Sequence, residues 1–458
     1  MPEKPKAPGP AGLISWRMMT QGQLNFIDSL ARQYGPVARF RFGGMQYFVL
    51  SHPDHVLRIL QENIANYTKE THQYWLLKQI MGNSLLTGDG SLWQQRRRLI
   101  QPAFQRRQLE HVAEQTVAAT DAVVTRWRTF LESGVEFDVV EELVQLALRV
   151  IGQILFSTDL IHEAPAVGAA VSTINAAGAW DWNTLKSFLP ILNRPYRQAS
   201  DRLEELIRSL ISQRRDEGAL RADLLSALVQ ARDEETGQPL SDQEIRNEAM
   251  TLLLAGHDTT AHHLSWTFLL LARNPGAVAK LHCELSEVLG GRPPTLEDLP
   301  RLTYTRMIVE ESMRLYPPIW VIPRRAIAGD EASGFQIPAG SYVVLSIYNL
   351  QRDPQWWSEP EEFRPERFDR SISAPPRAGA YAPFGWGPRT CVGAQFAMVE
   401  SQLILARLAQ HFTWELAPNH PIVPEGLTTL RPRKGIRIRL ADRPGNDTLE
   451  KSTSGDAT

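Results

Sequence analysis

The sequence feature that most constrains the fold is one long helical segment in the middle of the chain. Ser241 opens a capping box with Glu244, and apolar residues at helical spacing continue to about Arg273. Asn274 and Pro275 then end this helix and begin the next. At 1.5 Å per residue, the first helix would be roughly 50 Å long, enough to cross an entire domain. We therefore predict that it lies at the centre of the fold.

The rest of the pattern predicts a mainly α protein with a small β region, an α+β class. The β part comprises a hairpin at Gly43-Gly44, short strands at 335–337 and 342–346, and a last strand in the segment GIRIRL. Further helices are predicted over 203–232, 275–290, 302–315 and 393–410.

Composition limits the function. The 458 residues carry 49 Lys and Arg against 51 Asp and Glu, a formal net charge of −2, so nucleic-acid binding has no electrostatic support. Two cysteines, Cys283 and Cys391, exclude a disulfide-rich scaffold and a four-thiolate metal site. The longest apolar region, 264–272, is much shorter than the ~18 residues of a membrane span. We therefore expect a soluble, cytoplasmic protein with no membrane anchor.

Cys391 lies in the most informative local motif. The segment FGWGPRTCVG surrounds it, immediately before a helix, with Phe384, Gly387, Arg389 and Gly393. A cysteine at a helix N-terminus faces unpaired N–H groups and the positive end of the helix dipole, which favours the thiolate. The two glycines, which lack a Cβ, allow a sharp turn and a close approach of the backbone to a flat group. The decapeptide resembles the haem-binding loop of the cytochrome P-450 superfamily, Phe-x-x-Gly-x-Arg-x-Cys-x-Gly.

The resemblance implies a haem b group, iron protoporphyrin IX, with Cys391 as the axial thiolate ligand of the metal. It also implies that Phe384 packs beside the sulfur and that Arg389 pairs with a haem propionate. Gly387 and Gly393 complete the loop that binds the cofactor.

Other segments resemble the family's contacts with the haem propionates. Trp93 and Arg97 match its Trp-x-x-x-Arg pattern. In the segment IPRRAIAGDE, Arg325 is the better match to a further propionate arginine, and Arg324 is the alternative register. The surplus arginines nearby are either a solvated helix face or a docking patch for an acidic electron donor. These are Arg96, Arg98, Arg106 and Arg107.

The segment AGHDTT, residues 255–260, lies inside the predicted central helix although Gly, Asp and Thr disfavour helix interiors. It resembles the family's oxygen-activation motif, Ala/Gly-Gly-x-Asp/Glu-Thr-Thr/Ser. Thr259 then matches the threonine that hydrogen-bonds iron-bound oxygen, and Asp258 matches the acid that relays protons inward from solvent. The resemblance places Ala255 against the haem and Gly256 where space is needed above the ring.

Three histidines on this helix raise the possibility of a metal site. His257, His262 and His263 include no i, i+4 pair of the zincin type, so we interpret them as polar positions on one helix surface.

Glu311 and Arg314 stand three apart on one helix face and resemble the family's Glu-x-x-Arg pair. Arg367, in the segment PERF, matches the arginine that joins that pair in a buried triad. We expect the triad to support the cysteine loop, because a buried ion network is retained only when it is complete.

The family's substrate contacts come from segments that here supply mostly apolar and aromatic residues, so we expect a hydrophobic substrate of moderate size. For any one of these residues, plain core packing is the alternative. The predicted substrate contacts are Trp75, Leu86, Trp180, Trp182, Leu252, Trp320 and Val321.

The resemblance implies a single haem domain over residues 13–442, between a flexible segment 1–12 and a disordered tail 443–458. Its haem would lie between the central helix and the helix that follows the cysteine loop. The implied activity is a bacterial monooxygenase that uses O2 to hydroxylate or epoxidise a hydrophobic small molecule, such as a terpenoid, steroid or fatty acid. Electrons would come from NAD(P)H through a separate ferredoxin and ferredoxin reductase, and we expect a monomer.

Two alternatives remain at this point. The same fold could run as a peroxide-driven peroxygenase, or it could be a non-catalytic haem carrier or sensor. The acid and alcohol at Asp258 and Thr259 argue against a peroxygenase, because peroxygenases bring both oxygens already reduced and often lack that pair. The same pair argues against a carrier or sensor without turnover.

Overall fold

A computed structural model describes most of the chain. The described residues are 5–10, 21–105, 108–178, 194–217, 221, 223–233, 235 and 237–443. Helices make up 56% of the structure and the β regions are small, which confirms the predicted mainly α class. None of the helices in these ranges is both long and apolar enough to cross a membrane. In chain order, the α-helices are α1 Gln23–Tyr34, α2 Pro53–Leu57, α3 His72–Met81, α4 Gly90–Ile100, α5 Leu109–Ser133, α6 Val139–Phe156, α7 Ala164–Gly178, α8 Arg194–Glu217, α9 Leu224–Gln230, α10 Asp242–Ala272, α11 Pro275–Leu289, α12 Thr303–Leu315, α13 Ile347–Leu350 and α14 Ala394–His411.

The predicted central helix is α10, with 31 residues. Its capping box is complete: the Ser241 hydroxyl accepts a hydrogen bond from the Glu244 N–H, and the Glu244 carboxylate accepts one from the Ser241 N–H. Most of its side chains are buried on all sides, since α6 and α8 pack along it. A helix buried all round needs few polar positions, so the polar residues that it does carry are candidates for function.

The largest sheet joins strands from residues 37–68 to strands from residues 321–346. Its strands lie in the order β1 (Val37–Phe42), β2 (Met45–Leu50), β8 (Tyr342–Ser346), β5 (Val321–Ala326) and β3 (Tyr67–Thr68). Strands β2 and β8 are parallel, and the other pairs are antiparallel. Gly43 and Gly44 have φ of 56° and 80° and form the predicted hairpin turn. The strands are β1 Val37–Phe42, β2 Met45–Leu50, β3 Tyr67–Thr68, β4 Phe137–Asp138, β5 Val321–Ala326, β6 Asp330–Ala332, β7 Phe335–Ile337, β8 Tyr342–Ser346, β9 Phe412–Leu416, β10 Pro424–Gly426, β11 Leu430–Pro432 and β12 Arg437–Asp442.

Glu311, Arg314 and Arg367 come together as a buried ion network. The Nε and Nη2 of Arg314 donate to the Glu311 carboxylate at 2.7 and 2.8 Å, and neither side chain has exposed surface. Arg367 Nε donates to the same carboxylate at 3.2 Å. Arg314 also donates to backbone carbonyls of the irregular segment that leads towards the cysteine loop. These carbonyls belong to Gln351, Pro360 and Glu362.

Candidate active site

A cavity of about 460 Å³ lies between the central helix α10 and the cysteine loop. Its walls also include α3, strand β5, the first turns of α14 and the loop 427–429. The elements that the sequence placed on either side of a haem therefore do enclose a common space.

Cys391 lies on the wall of this cavity. Its thiol has accessible surface, which faces the cavity, and its N–H donates to the Phe384 carbonyl at 2.9 Å. Burial raises the pKa of the Cys391 thiol, while the Gly393 N–H and Arg97 oppose that rise. A metal cation bound to the sulfur would favour the thiolate.

The loop glycines act differently from one another. Gly387 has φ of 69°, and a Cβ there would collide with the backbone carbonyl of Leu60. Its missing side chain therefore serves the packing of the loop against the segment 58–62, which is not the close approach to a flat cofactor that we predicted. Gly393 borders the cavity beside Phe384, and a Cβ there would make ordinary contacts.

The central helix presents a narrow stripe to the cavity. Leu252, Ala255, Gly256 and Thr259 line the cavity and keep some accessible surface, whereas the residues between them are buried. This i, i+3, i+4, i+7 spacing is one helix face. All four predicted motif residues therefore border the space that contains Cys391, and Asp258 is the buried one of the four.

Helix α10 runs through the segment AGHDTT without interruption. The Thr259 hydroxyl donates to the Ala255 carbonyl at 2.8 Å, and the Thr260 hydroxyl donates to the Gly256 carbonyl at 3.1 Å. A Cβ at Gly256 would lie 2.8 Å from Ile151 of α6. The absent side chain therefore lets two helices pack closely, a reason that the sequence alone did not indicate.

Asp258 lies one position from Thr259 and is held by two neighbours. The Thr429 hydroxyl donates to its carboxylate at 2.8 Å, and His262 Nδ1 lies 3.5 Å from the same oxygen. Burial would raise the pKa of Asp258, but His262 and Thr429 outweigh burial and keep the pKa below its ordinary value. The sequence did contain the signal for this contact, because Asp258 and His262 are four apart on the helix.

The interpretation of the three histidines as a polar helix surface is wrong. His257, His262 and His263 are 2%, 6% and 1% exposed. Because the central helix is surrounded, it has no solvated face at these positions. No cluster of His, Cys, Asp or Glu in the part of the chain that the structure describes is arranged to hold a metal ion.

Three cationic side chains meet on another wall of the cavity. Lys69 and Arg324 are buried, and Arg389 lies nearby: burial, and after it the charge of Arg324, lowers the pKa of Arg389. For Lys69, burial is the main cause of the lowered pKa, followed by Arg324 and Arg389. The described carboxylate that faces this cluster is Asp89, 2.6 Å from Arg389. Buried positive charge is costly without anionic partners.

A haem fits these residues. Its two propionates would supply the anions that the cluster needs, its flat apolar ring would fill the space between the stripe on α10 and the cysteine loop, and Cys391 would supply the soft thiolate donor. Trp93 and Arg97 border the same space, with Trp93 stacked under the Arg389 guanidinium at 4.6 Å. Arg97 donates to the Thr390 carbonyl at 2.8 Å, next to the proposed ligand.

The choice of Arg325 for the cavity wall is wrong by one residue. Burial alternates along β5, so Arg324 points inward and is 4% exposed, while the Arg325 side chain is 39% exposed and lies 3.8 Å from Glu70. Arg324 contacts the Tyr74 hydroxyl and borders the cavity. The alternative register is therefore the one that reaches the site.

The alternation of inward and outward side chains along β5 gives a direct test with two adjacent residues. We expect Arg324→Met to weaken haem binding roughly 10- to 100-fold, since a charge-assisted hydrogen bond contributes about 1.5–3 kcal/mol. The rate of haem transfer to excess apomyoglobin measures the effect. Arg325→Met, on the same strand and of the same size, is the matched control and should release haem at the wild-type rate. Equal acceleration in both variants would contradict the assignment.

The predicted substrate contacts divide into three groups. Leu86, Leu252, Trp320 and Val321 line the cavity. Trp75 does not: it is 43% exposed and stacks on His72, because the opposite face of α3 is turned towards the cavity. Its prediction as a substrate contact is therefore corrected. Trp180 and Trp182 lie outside the described residues.

Glu400 on α14 also lines the cavity, and the sequence analysis did not identify it. Burial raises the pKa of its carboxyl to about 8, and the Thr260 hydroxyl lies 3.5 Å away. Most of this carboxyl is therefore protonated at pH 7. The sequence feature that could have identified Glu400 is a single acidic residue inside the mostly apolar segment FAMVESQLIL.

The proposed basic patch is smaller than the sequence suggested. Arg96 is 2% exposed and pairs with Glu244 of α10, so it belongs to neither a solvated face nor a docking surface. Arg98 is partly exposed and lies 3.1 Å from Glu235. Residues 106 and 107 lie outside the described part of the chain.

Comparison with known proteins agrees with this site. The chain matches the family model for cytochrome P450 over residues 4–440. It is 38% identical over 428 residues to cyclooctatin synthase of Streptomyces melanosporofaciens, covering 92% of this chain and 90% of that protein. It is 33% identical to pentalenene oxygenase of Streptomyces avermitilis, covering 96% and 98% of the two chains. A solved structure, the cytochrome P450DA haem domain, matches with a TM-score of 0.88 at 26% identity, covering 97% of this chain and 99% of that one.

The chain therefore belongs to the cytochrome P450 family, whose members carry haem with a cysteine thiolate ligand and use O2. More particularly, it is an oxidoreductase of the haem-thiolate monooxygenase class, which sets aside the non-catalytic carrier. These relatives confirm the predicted family, and the two Streptomyces proteins among them agree with the predicted bacterial type.

Proposed function

We propose that the protein hydroxylates a hydrophobic small molecule of the terpenoid class. The observation that carries the proposal is one cavity that brings Cys391 and the Thr259 face of the central helix together between apolar walls. The names of two relatives, pentalenene oxygenase and cyclooctatin synthase, support a terpenoid over a steroid or fatty acid.

Several side chains would hold the cofactor and the substrate. When bound, haem would supply the iron at which dioxygen is activated. Cys391 would bind that iron through its thiolate, and Arg97, Arg324 and Arg389 would pair with the propionates. Leu86, with the other apolar side chains of the wall, would exclude water and orient the substrate.

Asp258 and Thr259 would supply protons to the oxygen site. The Thr259 hydroxyl reaches the cavity, and its present bond to the Ala255 carbonyl is one that helix threonines form and release without unfolding the helix. The Asp258 carboxylate would take up a proton from solvent and pass it to Thr259, and Thr429 and His262 fix the position of that carboxylate.

We expect Thr259→Ala to uncouple turnover, so that NADPH is consumed with hydrogen peroxide as the main product. Product formed per NADPH should fall about tenfold or more, because a positioned proton donor contributes ~10²–10⁴-fold. Product, NADPH and peroxide are measured together. Thr267→Ala is the matched control: Thr267 makes the same hydrogen bond to the carbonyl four residues back, on the same helix but away from the cavity. Unchanged coupling in Thr259→Ala would contradict the relay.

We also propose that electrons come from NAD(P)H through a separate ferredoxin and its reductase, since the family generally uses redox partners. The ferric protein is screened for compounds that shift its iron from low to high spin, and those compounds are then assayed with NADPH and a surrogate ferredoxin system. Terpenoids should give both the shift and the product. Product with hydrogen peroxide but none with the ferredoxin system would contradict the electron route, and a response to fatty acids alone would contradict the substrate class. The monomeric state, the cytoplasmic location and the domain limits stay predictions.

A further inference from the structure

Consecutive side chains at the start of the central helix hold the backbone of the segment 80–85. An Arg246 guanidinium nitrogen donates to the Ile80 carbonyl at 2.8 Å. The Asn247 amide donates to the Asn83 carbonyl at 3.4 Å. The segment is therefore tied to α10 at its own backbone, and its course does not depend only on apolar packing.

Glu248, the third of these consecutive residues, contacts the segment through a fully buried carboxylate. Its side chain has no exposed surface, and its two carboxylate oxygens accept the Leu85 N–H at 2.9 and 3.1 Å. The nearest cation is Arg96, whose Nε lies 3.4 Å from Glu248 and which also pairs with Glu244. Burial raises the pKa of Glu248 to about 7. A buried acid costs stability where a leucine would not, so a role other than stability is indicated.

The segment passes close to the helix at Gly82. Gly82 has φ of 63°, and a Cβ there would collide with the side-chain amide of Asn247. A residue with a side chain at this position would strain the backbone and displace either the Asn247 amide, which bonds the segment, or the segment itself. The hydrogen bonds and the glycine thus specify one separation.

The segment continues directly into the cavity wall. Leu85 and Leu86 line the cavity, and so do Leu252 and Ala255, which lie one and two turns after Glu248 on the same helix. We propose that Glu248 is a positioning residue that fixes the wall formed by Leu85 and Leu86, and so determines which bulky apolar molecules fit the cavity. The proposal deepens the proposed function, on which it rests for the identity of that wall as the substrate side.

The test uses the ferric holoprotein and two azoles that bind haem iron through nitrogen. Imidazole is too small to press on the walls, whereas clotrimazole carries three aromatic rings that must be accommodated by them. Absorbance titration gives both dissociation constants. Turnover is not involved, so an error in the proposed substrate class or electron donor leaves the result interpretable.

We expect Glu248→Leu to weaken clotrimazole binding about tenfold or more while imidazole binding changes less than about twofold. Leucine cannot accept the Leu85 N–H, so the segment must move to satisfy that donor. Glu248→Gln keeps one acceptor oxygen and should restore most of the affinity. Glu244→Gln is the matched control, because Glu244 shares Arg96 as a partner but is not bonded to the segment, and both azoles should bind it as they bind the wild type.

Gly82→Ala tests the distance between the segment 80–85 and the central helix by a change in the segment itself. It also keeps the proposal testable if Glu248→Leu does not fold. It should also weaken clotrimazole selectively. Equal weakening of both azoles in these variants would indicate general damage and overturn the proposal. Unchanged clotrimazole affinity in Glu248→Leu or Gly82→Ala would overturn it as well.

Discussion

Cys391→Ser is expected to abolish the red-shifted Soret band of the reduced, CO-bound protein, and monooxygenation with it. A serine hydroxyl does not ionise at neutral pH and is a hard donor, so it cannot replace the electron-rich thiolate that the haem iron requires. Because Cys391 lies on the cavity wall, the change should leave the surrounding fold intact. The measurement is the reduced CO difference spectrum, together with haem content and circular dichroism.

The second cysteine supplies the control for this experiment. Cys283 lies on helix α11, away from the cavity, so Cys283→Ser should keep the wild-type spectrum. If Cys391→Ser retained the red-shifted band, Cys391 would not be the ligand. Loss of the band in both variants would point to a general effect of removing thiols.

Arg314→Ala should lower the free energy of unfolding by about 3–5 kcal/mol, the cost of leaving a buried charge without its partner. Arg314 has no exposed surface, and its loss would leave Glu311 with Arg367 as the remaining cation of the triad. It would also leave the carbonyls of Gln351, Pro360 and Glu362 without this donor. Such a loss is a large share of the ~5–15 kcal/mol that stabilises a typical domain.

Urea unfolding followed by haem absorbance measures the effect. Arg314→Lys keeps the charge but not the planar set of donors, so it should fall between the wild type and the alanine variant. Arg370→Met is the control: the Arg370 side chain is 77% exposed, so its pair with Glu310 should contribute only ~0–1 kcal/mol. A similar, small change in all three variants would show that the triad is not a stabilising network.

The parts of the fold that could be predicted from the sequence are those determined by neighbouring residues. The capping box of α10 and the hairpin turn at Gly43-Gly44 involve residues at most three apart, and both form as predicted. The cysteine motif is equally local, which is why Phe384, Arg389 and Cys391 all reach the cavity wall.

The parts that could not be predicted depend on residues distant in sequence. Choosing between Arg324 and Arg325 required knowing which side chains of β5 point inward. That orientation is set by the pairing of β5 with β8 and β3. Lys69 and Thr429 reach the site from opposite ends of the chain, and neither belongs to a local motif. Trp75 was misplaced because the aromatic character of a residue does not reveal which face of a helix is buried.

The walls of the cavity come from residues that lie far apart in the sequence. This separation also has a consequence during protein synthesis. Lys69 lies on one wall and Thr429 on another, and Trp266 of the central helix donates to the Leu430 carbonyl at 3.0 Å. A nascent chain cannot complete this enclosure until residues 427–430 have left the ribosome. Ribosomes stalled before Leu430 should therefore carry chains that cannot retain the cofactor.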